Sequence, residues 1–293
     1  MTRPRAEGPP FEIMEPTGAD SLPILVHVPH SGTRLPEDVR LGIRLDDDAL
    51  QREVVRLTDW HTDRLFDWLP AAGAAAFINR ISRLVVDPER FADDTQEPMA
   101  ARGQGVVYTR TSDLAPMRAD DLAERARLVA TWFDPYHAAL TGLVDRMLER
   151  FGQCLIVDGH SFGSVPLPSE VDQAPDRPDI CIGTDPTHTP DSLATALEAA
   201  FRGAGFRVTR DSPFAGALVP LRHHGTDLRV TSVMIEVRRG LYCDETTGEP
   251  LPAFADLRDR IRAATLTALP GWAVSPSRPL TMGPVREALR GLP

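Results

Sequence analysis

Short apolar runs alternate along the chain with longer segments in which apolar residues recur at helical spacing. The runs predict strands at about 23–29, 74–79, 83–87, 153–158, 179–183, 206–210 and 229–237. The longer segments predict helices at about 46–69, 119–151, 190–204 and 253–268. Alternation of this kind is typical of an α/β layer fold with a mostly parallel or mixed sheet.

The chain has 293 residues and no low-complexity linker. We therefore expect a single domain over 1–293. Within it, 269–293 is expected to form a proline-punctuated tail with a short helix near 284–290.

Bulk composition excludes several classes of protein. No apolar run approaches the roughly 20 residues of a membrane helix, and residues 1–10 lack the apolar core of a signal peptide, so we expect a cytoplasmic protein. The net charge of -10 argues against nucleic acid as a partner. Three widely spaced cysteines, Cys154, Cys181 and Cys243, predict buried free thiols rather than a disulfide framework.

Two of the predicted strands have a histidine at their carboxyl end. His160 follows Asp158 in the run 155–161, and His30 ends the run that begins at Ile24. Ligands collect beyond the carboxyl ends of strands in open α/β sheets, so the two histidines are expected to converge. With Glu236 inside a third apolar strand, they suggest a metal hydrolase.

A catalytic zinc site needs about three protein ligands of nitrogen or oxygen type and one open position. His30 and His160 are the first two candidates. Asp158 lies two residues before His160, on the same side of an extended strand, where it could orient the ring without contacting the ion. The alternative is that each histidine is a hydrogen-bonded core residue.

Six short strings in one order resemble the N-formylglutamate amidohydrolase family, a branch of the zinc carboxypeptidase-like hydrolases. They are Pro29-His30-Ser31-Gly32, Thr58 to Phe66, Arg83 to Arg90, Asp158-Gly159-His160-Ser161, Pro213-Phe214-Ala215-Gly216 and Ile235 to Tyr242. The resemblance implies a three-layer fold and a zinc ion, or another divalent transition metal. It also implies that a zinc-activated water hydrolyses the amide of a small acidic N-acyl amino acid, such as N-formylglutamate, to glutamate and formate.

For the third metal ligand, the resemblance points to Asp59, in the predicted helix after the first histidine. Asp63 lies four residues on and shares that helix face. His61 competes by its chemistry, but it would lie about 200° around a helix from Asp59. A solvated acidic helix face is the alternative for both carboxylates.

Glu236 would be costly to bury without a partner. The resemblance implies that it activates the water and later protonates the leaving amine. An internal ion pair with Arg238 or Arg239 is the structural alternative.

The resemblance also implies arginines that bind the substrate carboxylate. Arg83 and Arg90 match family arginines, Asp87 matches an aspartate that would fix an arginine fork, and Arg239 matches the arginine after the glutamate. A structural ion pair is the alternative for each. Two positions depart from the family, which commonly has asparagine where this chain has Glu89 and Arg238.

Three further histidines have less defined expectations. His137 lies in a family-like Pro-Tyr-His string, and His223 and His224 lie in a polar loop where they could touch substrate. The alternatives to an amidohydrolase are a zinc peptidase or peptidoglycan-amide hydrolase on the same fold, and a non-catalytic metal-binding relative that lacks a usable Glu236.

Overall fold

The structure, a computed structural model, describes residues 8–15 and 21–272. The strands are β1 (Phe11–Met14), β2 (Ile24–Val28), β3 (Ala75–Asn79), β4 (Cys154–Phe162), β5 (Ile180–Gly183), β6 (Val208–Arg210) and β7 (Val230–Arg238). The helices are α1 (Glu37–Gly42), α2 (Asp47–Leu57), α3 (Thr62–Leu65), α4 (Trp68–Ala71), α5 (Leu122–Leu128), α6 (Asp134–Phe151), α7 (Asp191–Gly203) and α8 (Phe254–Trp272).

The seven strands form one mixed sheet in the order β1-β3-β2-β4-β7-β5-β6. The pairs β2–β3, β2–β4, β4–β7 and β5–β6 are parallel, whereas β1–β3 and β5–β7 are antiparallel. The predicted mixed, mostly parallel sheet is therefore confirmed.

Helices cover both faces of the sheet and bury its apolar side chains. On one face, Leu25, Phe77 and Ile156 pack against α6. On the other, Val26 and Val157 pack with side chains of α3, α4, α7 and α8. The predicted three-layer α/β architecture is confirmed, and the described chain buries a core on each side of the sheet.

The predicted strand at 83–87 is wrong, because this apolar run forms turns. The Ser82 hydroxyl accepts a hydrogen bond from the Leu84 amide at 3.2 Å, and the Ser82 carbonyl accepts one from Val85 at 2.9 Å. The apolar side chains are buried all the same, against two small clusters that lie outside the sheet. An apolar run indicates burial, and here the buried residues form turns rather than a strand of the sheet.

The predicted helix at 46–69 is broken. Its first part, α2, begins where the Asp46 side chain accepts a hydrogen bond from the Ala49 amide, and it ends at Leu57. The chain then passes through His61, which has a left-handed backbone with φ of 61°, before α3 begins. Residues 58–61 are therefore not helical.

The remaining predicted elements are found with shifted boundaries. The predicted helix at 119–151 consists of α5, one π-helical segment at Val129–Phe133 and α6. Strand β4 continues to Phe162, beyond its predicted end, and β1 and α1 were not predicted. Helix α8 extends past residue 268, whereas the predicted helix near 284–290 lies outside the described residues.

Cys154, Cys181 and Cys243 are free and buried, as predicted. The single domain over 1–293 stays a prediction. Among the described residues, none of the helices has both the length and the apolar character that membrane crossing requires.

Candidate functional site

The candidate site lies at the edge of the sheet where the parallel strands β2, β4 and β7 end. His30 follows β2 by two residues, and Asp158 and His160 lie within β4. Alternation along the strand places both β4 side chains on the same face as Ile156, which α6 covers. The register pairs His160 with Glu236 of β7, so the three strands bring these side chains together.

The predicted metal histidines are neighbours, with ring centroids 5.1 Å apart. Each is buried, and each has one ring nitrogen bonded to a carboxylate. His30 Nε2 lies 2.8 Å from Asp87 Oδ1, and His160 Nδ1 lies 3.2 Å from Asp59 Oδ2. Their other nitrogens, His30 Nδ1 and His160 Nε2, have no hydrogen-bond partner among the described residues.

Two glycines allow this close assembly. A Cβ atom at Gly159 would lie 2.6 Å from the Phe66 ring, which packs beneath β4. A Cβ atom at Gly32 would lie 2.5 Å from the backbone carbonyl carbon of Arg80. The sequence keeps both positions free of side chains, and the segments that carry the histidines approach their neighbours closely.

Asp59 lies beside both histidines. Its amide donates to the His30 carbonyl at 3.0 Å, and its Oδ2 accepts from the Ser161 amide at 3.2 Å and lies 3.7 Å from His30 Nδ1. Burial would raise the pKa of Asp59, but contacts with His160 and His30 hold that pKa below its ordinary value. The carboxylate is therefore ionised in this surrounding.

The expectation that Asp59 and His61 lie on different sides of a helix is wrong, because residues 58–61 are not helical. His61 does not line the cavity that contains the two site histidines. Its Nε2 lies 2.8 Å from the carbonyl oxygen of Gly248.

Glu89 lies between the two histidines. The sequence indicated only that this position carries a charge where the family commonly has a neutral asparagine. Glu89 Oε2 is 3.0 Å from His160 Nε2 and 3.7 Å from His30 Nδ1. His30, Glu89 and His160 form one group whose ligand atoms all lie within 4.8 Å of one another. The departure from asparagine at this position was the signal available in the sequence.

His27 and Tyr136 are further neighbours of the site that the sequence analysis did not assign. His27 Nδ1 lies 2.7 Å from Asp158 Oδ1, and its Nε2 lies 2.5 Å from the Tyr136 hydroxyl. His27, Glu89 and Asp158 make a second group of possible ligand atoms within 4.8 Å. Asp158 Oδ1 also lies 3.2 Å from His160 Nε2, on the strand face where the sequence placed it.

Glu236 is 7% exposed, and its Oε2 has no hydrogen-bond partner among the described residues. Burial, with the negative charges of Asp59 and Glu89, raises its pKa to about 8, against the opposing effect of His160. The structural alternative paired this carboxylate with a neighbouring arginine. The guanidinium of Arg238 instead pairs with Asp179.

The three predicted substrate arginines line the same cavity. Arg83 Nη2 donates to Asp87 Oδ2 at 2.7 Å, and Arg90 Nε donates to the Gln104 carbonyl at 3.3 Å. Burial alone would raise the pKa of Asp87, but the charge of Arg83, with His30 and Arg90, holds it well below its ordinary value. Asp87 therefore bonds to Arg83 through one carboxylate oxygen and to His30 through the other.

Arg239 is anchored more deeply than the other two arginines. Its Nη1 donates to the Arg56 carbonyl at 2.8 Å, its Nε donates to Ser161 Oγ at 3.3 Å, and its Nη2 lies 3.6 Å from Asp59 Oδ1. The guanidinium thus connects the Asp59 carboxylate to the end of β4.

Other predicted residues lie apart from this cluster. Asp63 accepts from Arg80 at 2.7 Å and does not line the cavity. His137 lines the cavity, with its Nε2 2.8 Å from the Pro88 carbonyl. His224 also lines the cavity, whereas His223 pairs with Asp145.

The site opens into a cavity of about 710 Å³. This volume is within the range of about 300 to 1,000 Å³ that is typical of small-molecule sites. Apolar side chains form much of its lining, among them Phe91, Phe133, Phe162, Phe214 and Met234. A cavity lined largely by apolar side chains, with a few convergent charged groups, suits chemistry on a small polar molecule.

Comparison with known proteins gives consistent matches. A family model described as N-formylglutamate amidohydrolase matches residues 22–243. An N-formylglutamate deformylase of Pseudomonas aeruginosa is 32% identical over 250 residues, which cover 83% of this chain and 89% of the relative. An N-formylglutamate deformylase of Pseudomonas putida is 31% identical, over 80% of this chain and 86% of the relative.

Solved structures agree with these sequence matches. The structure of an N-formylglutamate amidohydrolase from Ralstonia eutropha JMP134 superposes with a TM-score of 0.77 and 26% identity. The superposition covers 97% of this chain and 99% of that one. A gene product of Agrobacterium tumefaciens, with a TM-score of 0.64 and 21% identity, covers 88% of this chain and 96% of its own, and it shares the fold.

Proposed function

Because the chain belongs to the N-formylglutamate amidohydrolase family, we propose that it hydrolyses N-formylglutamate or a closely similar acidic N-acyl amino acid. One water is consumed, the carbon–nitrogen bond of the amide breaks, and formate and glutamate are released from N-formylglutamate. The observation that carries this proposal is the placement of Glu236 beside His30 and His160 in one cavity.

A bound divalent ion of the zinc class is part of the proposal. Two buried imidazole nitrogens without hydrogen-bond partners among the described residues, beside carboxylate oxygens, make a nitrogen and oxygen donor set that suits zinc. His30 and His160 would hold the ion together with a carboxylate, for which Asp59 is the family-based candidate. Asp87, bonded to His30 through the opposite ring nitrogen, would orient that imidazole. Asp158 lies 3.2 Å from His160 Nε2, on the side of that ring where the ion would bind.

The ion, when bound, supplies Lewis acidity that polarises the substrate carbonyl and acidifies water. Glu236 is the group that accepts a proton from the attacking water and passes it to the leaving nitrogen. Its raised pKa of about 8 supports this role, because a group of this kind must both gain and lose a proton near neutral pH. A usable acid in the cavity also favours an enzyme over a non-catalytic metal-binding relative.

Arg90 and Arg239 are proposed to attract the carboxylates of the substrate. Arg90 lines the cavity with 22% of its side chain exposed and has only one described hydrogen bond, through Nε. Arg83 lines the same cavity and is a further candidate to bind a substrate carboxylate, although its Nε and Nη2 already donate to Tyr108 and Asp87. Arginine forks bind carboxylates by paired charge-assisted hydrogen bonds, which is the recognition that an acidic substrate needs.

The proposal is tested by incubating the purified protein with N-formylglutamate and measuring formate and glutamate separately. We expect the two products in equal amounts, loss of the reaction after chelation, and its return on adding zinc. No release of either product, with the protein folded and loaded with metal, would contradict the proposed substrate.

A further inference from the structure

Glu89 occupies a position that neither Asp59 nor Asp158 shares. His30 Nδ1 and His160 Nε2, which make no hydrogen bond with a described residue, both face Glu89 Oε2, at 3.7 Å and 3.0 Å. Asp59 Oδ2 is near only the first of these nitrogens, at 3.7 Å, and Asp158 Oδ1 is near only the second, at 3.2 Å. The Glu89 side chain is 14% exposed and lines the cavity. Three atoms that can bind a metal ion therefore converge from three separate segments of the chain.

The contacts of Glu89 with the histidines are not hydrogen bonds. His160 Nε2 lies within hydrogen-bond distance of Glu89 Oε2, yet its geometry satisfies no hydrogen bond with a described residue. An N–H group that donates to a carboxylate points along the line between the two atoms. The three possible ligand atoms instead lie within 4.8 Å of one another. Ligand atoms about 2.0–2.2 Å from a tetrahedral zinc lie roughly 3.3–3.6 Å from one another, close to the distances here.

Asp59 has a different relation to the same imidazole. Its Oδ2 lies 3.2 Å from His160 Nδ1 in a hydrogen bond, and it also accepts from the Ser161 amide. A neutral imidazole that donates Nδ1–H to Asp59 has its lone pair on Nε2, the nitrogen that faces Glu89. Asp87 holds His30 in the corresponding way, through Nε2. Each histidine therefore has one ring nitrogen bonded to a carboxylate, and its other ring nitrogen makes no hydrogen bond with a described residue.

We propose that Glu89 is a metal ligand of this chain, completing the site with His30 and His160, and that Asp59 is a positioning residue that orients His160. This inference rests on the proposed function. The resemblance to the family implies asparagine at the position of Glu89, and the carboxylate is this chain's departure from that pattern. A carboxylate in place of a neutral amide strengthens the binding of a divalent cation and lowers the net charge beside the substrate.

The experiment compares zinc affinity and stoichiometry in the wild type, Glu89→Gln, Glu89→Asp and Asp59→Asn. Affinity is measured by competition with a chelator, and stoichiometry by elemental analysis. We expect Glu89→Gln to weaken binding by more than about a hundredfold. Asp59→Asn should weaken it by about ten- to a hundredfold, the effect of losing an orienting partner. Glu89→Asp keeps the carboxylate and should weaken binding less than Glu89→Gln.

A second readout follows the ligand set itself. The visible spectrum of cobalt-loaded protein should change in Glu89→Gln and stay close to that of the wild type in Asp59→Asn. Circular dichroism identifies any variant that fails to fold, and Glu89→Asp then decides the question. Wild-type zinc affinity and an unchanged cobalt spectrum in Glu89→Gln would overturn the inference. So would a larger loss of affinity in Asp59→Asn, which would make Asp59 the ligand.

These outcomes are separate from a failure of the proposed function. A wild type that hydrolyses N-formylglutamate with bound metal, while Glu89→Gln binds metal equally well, rejects the role of Glu89 alone. A wild type that binds no divalent metal rejects the metal-dependent function from which the inference starts.

Discussion

His160 of β4 and Glu236 of β7 are register partners on adjacent parallel strands. Partners of this kind project from the same face of a sheet, at a separation that the hydrogen-bond ladder fixes. The imidazole and the carboxylate are therefore held in relation to each other by rigid backbone. Such placement favours catalysis, because proton transfer requires the groups to be positioned within a fraction of an ångström.

Glu236→Gln should keep the metal but lower kcat by at least about a hundredfold, because the amide cannot accept and pass on a proton. Elemental analysis and steady-state kinetics on N-formylglutamate measure the two effects. Turnover close to that of the wild type would make Glu236 a structural residue. Loss of the metal would make it a ligand.

His30→Ala and His160→Ala should each abolish binding of the single divalent ion expected per chain, because each removes a nitrogen ligand. His61→Asn is the matched control, since it removes a histidine whose ring meets the Gly248 carbonyl and keeps a residue type that tolerates a left-handed backbone. Elemental analysis after dialysis is the measurement. Full metal content in either alanine variant would contradict the site.

Arg90→Lys should raise KM for an acidic substrate, because lysine replaces a two-pronged contact by a point charge. N-formylglutamate, N-formylaspartate and N-formylleucine are compared in the wild type and the variant. Arg110→Lys, at an exposed arginine outside the cavity, is the control. Equal rates on all three substrates, unaffected by Arg90→Lys, would exclude the arginine clamp.

Gly159→Ala should destabilise the fold by about 1–3 kcal/mol, the usual cost of overpacking a core. Its new methyl group would lie 2.6 Å from the Phe66 ring. Gly203→Ala is a matched control, because no atom lies within 4 Å of a Cβ placed there. Denaturant unfolding measures both free energies. Equal stability of the two variants would show that the Phe66 ring moves aside without cost.

His137 should make stability depend on pH. Burial lowers its pKa to about 4, so protonation favours the unfolded chain, in which the pKa is near 6.5. The stabilisation is complete above pH 6.5 and is lost as the pH falls toward 4. Between pH 7 and 4.5, the wild type should lose about 2–3 kcal/mol more unfolding free energy than His137→Gln. Parallel pH profiles would show that His137 titrates normally.

The apolar runs were sufficient to predict the core of the sheet, because buried strands are continuous in their hydrophobicity. They also placed His30 and His160 together, since the carboxyl ends of parallel strands share one edge. The same rule failed at 83–87, where the apolar residues are buried by turns. A pattern of burial alone does not distinguish the two.

The helix break at 58–61 depends on partners that are distant in sequence. The Asp59 amide donates to the His30 carbonyl, and the Trp60 carbonyl accepts from the Tyr242 hydroxyl at 2.8 Å. Local propensity contains no information about such contacts. For the same reason, the sequence identified Glu89 as unusual but did not show that its carboxylate faces both histidines.

Strand β7 joins two groups of strands that would otherwise be separate in the sheet. Although β7 is the last described strand along the chain, it lies between β4 and β5 and alone joins β5 and β6 to the rest of the sheet. A nascent chain that ends before residue 230 therefore has two separate groups of strands. Glu236 lies on the strand that joins them, so a partly folded form with a divided sheet lacks the His160–Glu236 register on which the proposed proton transfer depends.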